Sequence, residues 1–226
     1  MKSIKTRKIG SLIHVKAEYE ERYIILHKYP FPGVLDRLRK SHLSHYSIFL
    51  LNSLLFSYYE YNGSNYEEDM NKISLDPITR DWWKLTDPMQ DPLPDRKDNE
   101  WWSSIEELLS FSCDPASESF PSRRFAFTLS IESESLLRDL VSSLPSDTPH
   151  LLSRYEIQSL SLFFQPPSHI FLYGEYLSPD LGQLFSRLKG EPSLQHIIQS
   201  SRTHLFEPES ALLRLAQPMT EVFHMD

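Results

Sequence analysis

The chain has 226 residues, of which 40% are hydrophobic and 24% charged, and its formal net charge at pH 7 is −8. This composition predicts a soluble globular protein of one large or two small domains, and no stretch approaches the roughly 18 apolar residues of a membrane span. The acidic balance argues against a nucleic-acid partner, because the densest basic run, Arg37–Lys40, is too short to form a phosphate-binding stripe.

The cysteine content and the first residues of the sequence indicate the cellular compartment of the protein. The single cysteine, Cys113, excludes a disulfide scaffold and a cysteine-clustered zinc site, and it fits a reducing compartment. Residues 1–15 begin with basic side chains but lack an apolar stretch of signal-peptide length. We therefore expect a cytoplasmic protein with no membrane partner.

Apolar periodicity and proline breaks predict the element order β-α-β-β-α-β for the first half of the chain. The predicted elements are a strand at 8–16, helices Glu18–His27 and Val34–Ser41, strands His45–Leu51 and Leu54–Tyr61, helices Asn65–Leu75 and Ile78–Leu85, and a strand Ile105–Phe111. Asn52-Ser53, between the two middle strands, is a hairpin signal. This is the ferredoxin-like order, in which the helices cover one face of the sheet.

The second half predicts a similar order after a polar linker at 113–122. Its elements are strand Arg124–Ile131, helix Ser135–Ser143, strands Ile157–Phe164 and His169–Tyr176, helices Leu181–Leu188 and Ser193–Ser200, and a closing strand Pro218–His224. A shift of 115 residues lays Phe56, Tyr58, Glu60 and Tyr61 on Phe171, Tyr173, Glu175 and Tyr176. The match indicates a tandem duplication, with domains at 1–112 and 123–226.

The predicted fold class is therefore α+β, with two ferredoxin-like repeats packed sheet to sheet within one chain. A sheet with helices on one face leaves its other face apolar, and homodimers commonly bury such faces against each other. Because a tandem chain can make this contact internally, we expect either a monomer with an internal pseudo-dimer or a homodimer.

Tyr23 and His27 stand four residues apart on the first predicted helix, and so share one of its faces. Because an imidazole titrates near neutral pH, His27 can take up a proton and return it. The alternative is a partly exposed histidine at a helix end, packed against a tyrosine.

Two tryptophan pairs, Trp82-Trp83 and Trp101-Trp102, allow two interpretations. Adjacent helical residues point about 100° apart, so one indole can anchor the helix while the other stacks on a sugar in a cavity. Alternatively, both indoles of a pair are core anchors. Glu60, among tyrosines, either binds a ligand hydroxyl or, as its repetition at Glu175 favours, has a structural role.

Other reaction centres find no support in the sequence. His14, His42 and His45 do not converge with acidic residues at metal-ligand spacing, so we expect no metal site. The GxGxxG, GxxxxGK[ST] and GxSxG motifs do not occur, which argues against a nucleotide-binding protein or a serine hydrolase.

Several residues of the first half, taken in order and at near-constant spacing, resemble the L-rhamnose mutarotase family. They are Tyr23-x-x-x-His27, Pro32, Tyr46, the strand Phe56 to Glu60, Arg80-Asp81-Trp82-Trp83-Lys84, and Thr86-Asp87 followed by Met89. The resemblance covers roughly 8–111 and the closing strand Met219–His224, which keeps the family ending better than Ile105–Ser110 does. Members of this family are small ferredoxin-like proteins that form dimeric α+β barrels and interconvert the α and β anomers of L-rhamnose.

The resemblance implies an isomerase of the aldose 1-epimerase type that acts on a monosaccharide and needs no cofactor. It implies that His27 is the general acid/base and that Tyr23, Tyr46, Trp82 and Trp83 bind the sugar. The residue after the histidine, Lys28, departs from the uncharged polar residue of the family pattern and can alter the rim of the pocket.

The second half lacks these side chains. The same 115-residue shift places Arg138, Ser142, Ser161 and Ile197-Ile198 at the positions of Tyr23, His27, Tyr46 and Trp82-Trp83. We therefore expect a catalytically silent second repeat and one active site per chain.

Two other functions stay open at this point. One is a non-catalytic carbohydrate-binding or regulatory protein on the same scaffold. The other is a small monooxygenase or lactone isomerase, because dimeric α+β barrels host these activities as well. The sequence does not identify the aldose, and it assigns no role to Trp101 and Trp102.

Overall fold

The computed structural model describes residues 6–112, 122–131, 133–189, 191 and 217–226. In the first half the elements are β1 (Arg7–Val15), α1 (Glu20–Lys28), α2 (Pro32–Lys40), β2 (Leu43–Leu51), β3 (Leu54–Tyr61), α3 (Tyr66–Leu75), α4 (Pro77–Thr86), β4 (Gln90–Asp91) and β5 (Ser103–Ser112). In the second half they are β6 (Arg123–Ser130), α5 (Glu134–Ser142), α6 (Thr148–Arg154), β7 (Ile157–Gln165), β8 (His169–Tyr176), α7 (Leu181–Lys189), β9 (Gln217–Pro218) and β10 (Thr220–Met225). The predicted α+β class is confirmed, and the predicted elements are found in their predicted order among these residues, with α6 and the two-residue strands β4 and β9 in addition.

The chain divides into two compact units, Met1–Ile105 with Thr220–Asp226, and Glu106–Met219. In the first unit the antiparallel order is β10-β2-β3-β1, and β1 also pairs with β4 and with the first residues of β5. Helices α1 to α4 pack on one face of this sheet, where Ile13, Leu50 and Leu55 form the core with Leu38 and Ile73. The site described below lies in this helix-covered layer.

Two backbone features position residues of β2. Asn52 and Ser53 both have positive φ, 49° and 63°, as a type I′ hairpin turn requires, so the predicted β2–β3 hairpin is confirmed. At the other end of β2 the pairing with β3 shifts between Ser44 and Ser47, where His45 has φ 50°. Such a bulge changes the direction of the neighbouring side chains, here that of Tyr46.

Capping residues fix the start of α4. Helix α3 ends at Leu75, and the carboxylate of Asp76 accepts a hydrogen bond of 2.8 Å from the backbone N–H of Thr79. Pro77 occupies the first turn, where a missing N–H costs nothing. The cap and the proline set the position of α4 and of its tryptophans.

The second unit has the antiparallel order β7-β8-β6-β9, and residues 106–112 of β5 pair with β7. Its helix α6 was not predicted. Pro149 stands in the first turn of α6, where proline is tolerated, and Leu151 and Leu152 are buried. The predicted helix Ser193–Ser200 lies outside the described residues.

Hydrogen-bond registers correspond between the two units. Tyr58 lies opposite Ser47 and Tyr173 lies opposite Ser161 in the two hairpins. An N–H at the end of β1 and one just after β6 donate to the hairpin turns, from Val15 to Ser53 at 2.8 Å and from Ile131 to Ser168 at 2.7 Å. The residue before the first strand of each hairpin also matches, since His42 before β2 and Glu156 before β7 both have φ 62°.

The last strand leaves the second unit. β9 pairs with β6, but β10 pairs with β2, so residues 220–226 belong with the first unit although the predicted boundary, 123–226, placed them in the second. The side chains explain the placement, because Val222, Phe223 and Met225 are buried in the first core. Ser47 Oγ is also hydrogen-bonded to His224 Nδ1 at 2.8 Å.

Among the described residues, no helix combines the length and apolar character that a membrane crossing requires.

Candidate active site

Two neighbouring cavities open in the helix-covered layer of the first unit. The first, here the serine cavity, has a volume of about 290 Å³ and is lined by Ser11 and Ser57 among others. The second, the glutamine cavity, has about 370 Å³ and is lined by Gln90. Both are lined by the same six residues, His27, Tyr46, Ile48, Trp82, Trp83 and Trp102. All predicted site residues therefore border a cavity: Tyr23 only the glutamine cavity, and the other four both.

Helix α1 stacks Tyr23 on His27. Their ring centroids are 3.9 Å apart, and the side chains are only 1% and 7% exposed. His27 Nδ1 lies 2.9 Å from the carbonyl oxygen of Tyr23. A carbonyl only accepts hydrogen bonds, so Nδ1 carries the proton and Nε2 holds a lone pair. Nε2 has no hydrogen-bond partner among the described residues.

Burial changes the acid–base character of His27. It lowers the pKa of the imidazole to about 4, which the hydrogen bond to Tyr23 only partly opposes. The imidazole is therefore neutral at neutral pH. The expectation of a group that titrates near neutrality was wrong, as was the alternative of a partly exposed helix-end histidine, because α4 and β10 cover the ring with Trp82 and Phe223.

The adjacent tryptophans of α4 differ in burial, as their helical spacing predicted. Trp82 is buried edge-on against His27, with centroids 5.2 Å apart, and against Phe31, at 5.3 Å. Trp83 is half-buried, and both indoles line both cavities. Trp82 thus anchors α4 in the core and also lines the cavities, whereas the ring of Trp83 is more accessible.

Tyr46 reaches the cavities from the bulge of β2. Its ring lies 5.4 Å from that of Tyr59 and 5.6 Å from that of Phe223. Burial raises the pKa of Tyr46 to about 12, so the phenol keeps its proton.

Sequence reasoning missed Gln90 and the role of Trp101. Trp101 Nε1 donates to Gln90 Oε1 at 2.6 Å, and Gln90 Nε2 donates to the hydroxyl of Tyr23 at 3.3 Å. An indole N–H can only donate, so it fixes which end of the Gln90 amide faces Tyr23. The tryptophan pair was a visible signal, but its partner eleven residues earlier was not.

The hydrogen bonds from Trp101 to Gln90 and from Gln90 to Tyr23 determine that the Tyr23 hydroxyl acts as an acceptor towards Gln90. Its oxygen accepts from Gln90, and within the part of the chain that the structure describes no group accepts the proton of this hydroxyl. Burial raises the pKa of Tyr23 well above its ordinary value, and Tyr46 and Asp87 add to the shift. Tyr23 therefore remains a protonated phenol that can donate to a ligand in the glutamine cavity.

Glu60 does not line either cavity. It accepts a hydrogen bond of 2.8 Å from the hydroxyl of Tyr58 and lies 3.9 Å from Lys8 Nζ. Glu175 accepts the equivalent bond from Tyr173 at 2.5 Å. The repeated bond agrees with the structural role that the repeated glutamate favoured.

The second unit holds different groups at the corresponding places. Arg138 pairs with Glu106 and Glu134, and the hydroxyl of Ser142 bonds to the backbone. The hydrogen-bond register corrects one correspondence: Ser161 matches Ser47, and Tyr46 is matched by Leu160. Ile197 and Ile198 lie outside the described residues.

The described residues contain no group of three or more His, Cys, Asp or Glu side chains that could hold a metal ion.

Solved structures define the class of fold. A candidate monooxygenase from Fusobacterium nucleatum matches with a TM-score of 0.58 and 10% identity, covering 100% of this chain and 96% of its own. A second candidate monooxygenase, from Lactobacillus acidophilus, matches with a TM-score of 0.60 and 5% identity, covering 96% and 95%. At these identities the likeness shows a shared ferredoxin-like α+β fold and nothing of activity.

Sequence comparison defines the family. The family model described as L-rhamnose mutarotase matches residues 8–111, the stretch that contains Tyr23, His27, Tyr46, Trp82 and Trp83. An L-rhamnose mutarotase from Mannheimia succiniciproducens is 34% identical over 85 residues, which are 37% of this chain and 72% of that protein. The chain belongs to the L-rhamnose mutarotase family.

Proposed function

We propose that the first unit interconverts the α and β anomers of L-rhamnose or a related 6-deoxy aldose. The observation that carries the proposal is the Tyr23–His27 stack, which combines a protonated phenol and a neutral imidazole at the wall of one cavity. The family match over 8–111 supports it, because that match spans all five site residues.

His27 is the base of the proposed reaction. Its Nδ1 proton is held by the carbonyl of Tyr23, so only the lone pair of Nε2 is left to accept the proton of the anomeric hydroxyl. The low pKa means that the imidazole is already in its basic form at neutral pH. Proton transfer by a positioned group of this kind typically contributes a factor of about 10² to 10⁴ to the rate.

Tyr23 is the proposed acid. It donates its proton to the ring oxygen as the C1–O5 bond breaks, and the aldehyde forms with the anomeric oxygen as its carbonyl oxygen. Rotation about the C1–C2 bond then presents the other face of the aldehyde to the O5 hydroxyl. On closure the two residues exchange roles: Tyr23 takes the O5 proton back and His27 returns the other proton to the new anomeric hydroxyl. The C1–O5 bond breaks and re-forms within the sugar, and the protein exchanges only protons with it, so the proposal includes no cofactor.

Aromatic rings are the proposed sugar-binding surface. The faces of Trp83 and Tyr46 border both cavities and offer the apolar planes against which the C–H groups of a pyranose pack. Asp87 and Thr86 line the glutamine cavity and supply polar groups for ring hydroxyls.

The second unit is proposed to be a silent copy of the first. The corresponding registers, the repeated Tyr58–Glu60 and Tyr173–Glu175 bonds and the shared element order support a tandem duplication. Arg138 and Ser142 in place of Tyr23 and His27 leave it without the acid–base pair. Size-exclusion chromatography with light scattering tests whether the second unit takes the place of a partner subunit, in which case the chain is a monomer; a homodimer assembled through the first units alone would count against it.

Exchange NMR tests the proposed activity. For L-rhamnose, L-fucose and L-lyxose in turn, magnetisation transfer between the anomeric protons of the α and β forms reports their interconversion at equilibrium. Polarimetry on the freshly dissolved sugar reports the rate at which equilibrium is reached. We expect acceleration of L-rhamnose above the buffer rate. Saturable binding without acceleration would instead support a carbohydrate-binding or regulatory protein, and a bound haem or flavin chromophore would support a monooxygenase.

A further inference from the structure

The serine cavity has a polar pair on an otherwise apolar floor. Ser11 on β1 and Ser57 on β3 lie directly opposite in the strand register, and their hydroxyl oxygens are 2.7 Å apart. Both side chains are buried and border the cavity. Two hydroxyls that share one hydrogen bond retain one proton and several lone pairs for a ligand.

The same places in the second unit are filled by large side chains. The strand register puts Phe127 opposite Leu172 where the first unit has Ser11 opposite Ser57. On the helix above, the 115-residue shift matches Phe185 to Met70, and the rings of Phe127 and Phe185 lie 5.5 Å apart. Two phenyl rings thus occupy this layer of the second unit, so the fold does not itself require a cavity here.

The chemistry of the two cavities differs. The glutamine cavity carries Tyr23, Asp87 and Gln90, which suit the hydroxyls of a sugar. The serine cavity is walled mainly by aliphatic side chains such as Val34, Leu38 and Ile73. Two of its other hydroxyls are engaged, since Tyr59 is bonded to Tyr66 and Thr79 to Asp76. Because most of the lining is aliphatic or aromatic, the serine cavity favours an apolar group over several sugar hydroxyls.

The serine cavity is much larger than the methyl group of a 6-deoxy sugar. A methyl group takes up about as much space as a water molecule, roughly 30 Å³, whereas the serine cavity has about 290 Å³. The cavity therefore has room for a larger substituent.

We propose that the serine cavity is a subsite for an apolar substituent, and that the substrate is a 6-deoxyhexose with such a group on a ring oxygen and a free anomeric hydroxyl. This rests on the proposed mutarotation, which requires the free anomeric hydroxyl. The Ser11–Ser57 pair then hydrogen-bonds the oxygen that links or ends the substituent.

The probes are L-rhamnose and its 2-, 3- and 4-O-butyl ethers, compared by exchange NMR with the full chain. For one ether we expect a KM at least about tenfold below that of L-rhamnose, because each buried methylene adds to binding. Ser57→Leu and Met70→Phe copy Leu172 and Phe185 and fill the subsite; both should bring the ratio of the two KM values to within about twofold of one. Ser57→Ala removes the hydroxyl without filling the space and should keep most of the preference.

Folding measurements and ligand titrations accompany the kinetics, so that a variant that fails to fold is not mistaken for one that fills the subsite. Circular dichroism and unfolding midpoints show which variants fold, and Met70→Phe serves if Ser57→Leu does not. Equal KM values for all ethers and L-rhamnose in the wild type would overturn the subsite, as would a preference that survives both filling variants. If the wild type accelerates none of these sugars, the proposed activity fails, and tryptophan-fluorescence titration decides the subsite: saturable ether binding lost on filling supports it, and no ether binding overturns it.

Discussion

The imidazole of His27 lies against the phenol ring of Tyr23, with centroids 3.9 Å apart and an interplanar angle of 25°. The contact holds a proton acceptor and a proton donor side by side on one turn of α1. Neither ring can rotate freely, because Trp82 borders the imidazole and the Tyr23 hydroxyl is bonded to Gln90. The stack therefore fixes the distance over which the two residues act.

Replacing the imidazole tests the proposed base. We expect His27→Asn to lower the rate of L-rhamnose anomer exchange by about 10² to 10⁴, since asparagine cannot take up the proton. The matched control is Ser142→Asn, at the corresponding place in the second unit, which should leave the rate within twofold of wild type. Exchange NMR measures both, and an unchanged rate for His27→Asn in a folded protein would remove this residue from the mechanism.

The low pKa of His27 predicts a characteristic pH profile. Because the imidazole is protonated only near pH 4, the enzymatic rate should stay constant from pH 8 down to about pH 5 and fall below about pH 4. A histidine with an ordinary pKa of about 6.5 would lose half of its basic form near that pH. The rate is measured after subtraction of the buffer reaction, and a midpoint near 6.5 would show that the ring is solvated.

The same shift predicts a stability change with pH. Between about pH 6.5 and pH 4 the unfolded chain protonates His27 and the folded chain does not, so the free energy of unfolding decreases as the pH falls. The decrease from this one group reaches about 3 kcal/mol below pH 4. Urea unfolding of wild type and His27→Asn at pH 7.5 and pH 4.5 isolates it, because the variant lacks the group; parallel curves for the two proteins would contradict the shift.

Variants of Gln90 test the direction of the Tyr23 hydroxyl. Gln90→Glu replaces the amide N–H with a carboxylate oxygen that accepts the Tyr23 proton, so the rate should fall by about one to two orders of magnitude. Gln90→Met removes the bond but leaves the proton free to point at the sugar, and should cost less than about threefold.

The relative rates of these two variants distinguish a Gln90 that orients the Tyr23 hydroxyl from one that only anchors it. If Gln90 only anchored Tyr23, Gln90→Glu would be the milder change, because it keeps a hydrogen bond. Trp101→Phe, at a side chain that is 46% exposed, releases the amide to turn and should fall between the two. Each double variant that combines Tyr23→Phe with a Gln90 substitution should have the same rate as Tyr23→Phe alone.

The repeated tyrosine–glutamate bonds predict matched stability losses. Tyr58→Phe and Tyr173→Phe each leave a buried or half-buried glutamate without its hydroxyl partner. We expect each variant to lower the free energy of unfolding by about 1 to 3 kcal/mol, as for other hydrogen bonds to charged groups. Denaturant unfolding measures both. A large loss for one variant and none for the other would show that the two bonds are not equivalent.

Local sequence signals were sufficient for much of the fold and for the members of the site. The Asn52-Ser53 turn sets the hairpin register, and the four-residue spacing of Tyr23 and His27 puts them on one face of α1. These features depend on neighbours within a few residues, where backbone preferences and helix geometry decide the structure.

The remaining features depend on packing between distant segments. The neutrality of His27 arises because Trp82 from α4 and Phe223 from β10 exclude water from its ring. The bond from Trp101 to Gln90 requires the segment before β5 to meet β4, and no periodicity marks it. The placement of β10 likewise depends on which sheet edge it pairs with, that of β2 in the first unit or that of β6 in the second, and a strand prediction alone does not say which.

The position of β10 makes the first unit dependent on a segment that follows the second unit in sequence. Phe223 walls the serine cavity and touches His27, yet it is translated after every residue of the second unit. On the ribosome, residues up to 105 emerge with the β2 edge uncovered and the histidine lacking one of its aromatic neighbours. The wall around His27 is thus complete only after residues 220–226 have been synthesised. A chain cleaved by a protease before residue 220 would keep Tyr23, His27, Tyr46, Trp82 and Trp83 and still lose part of the wall that surrounds them.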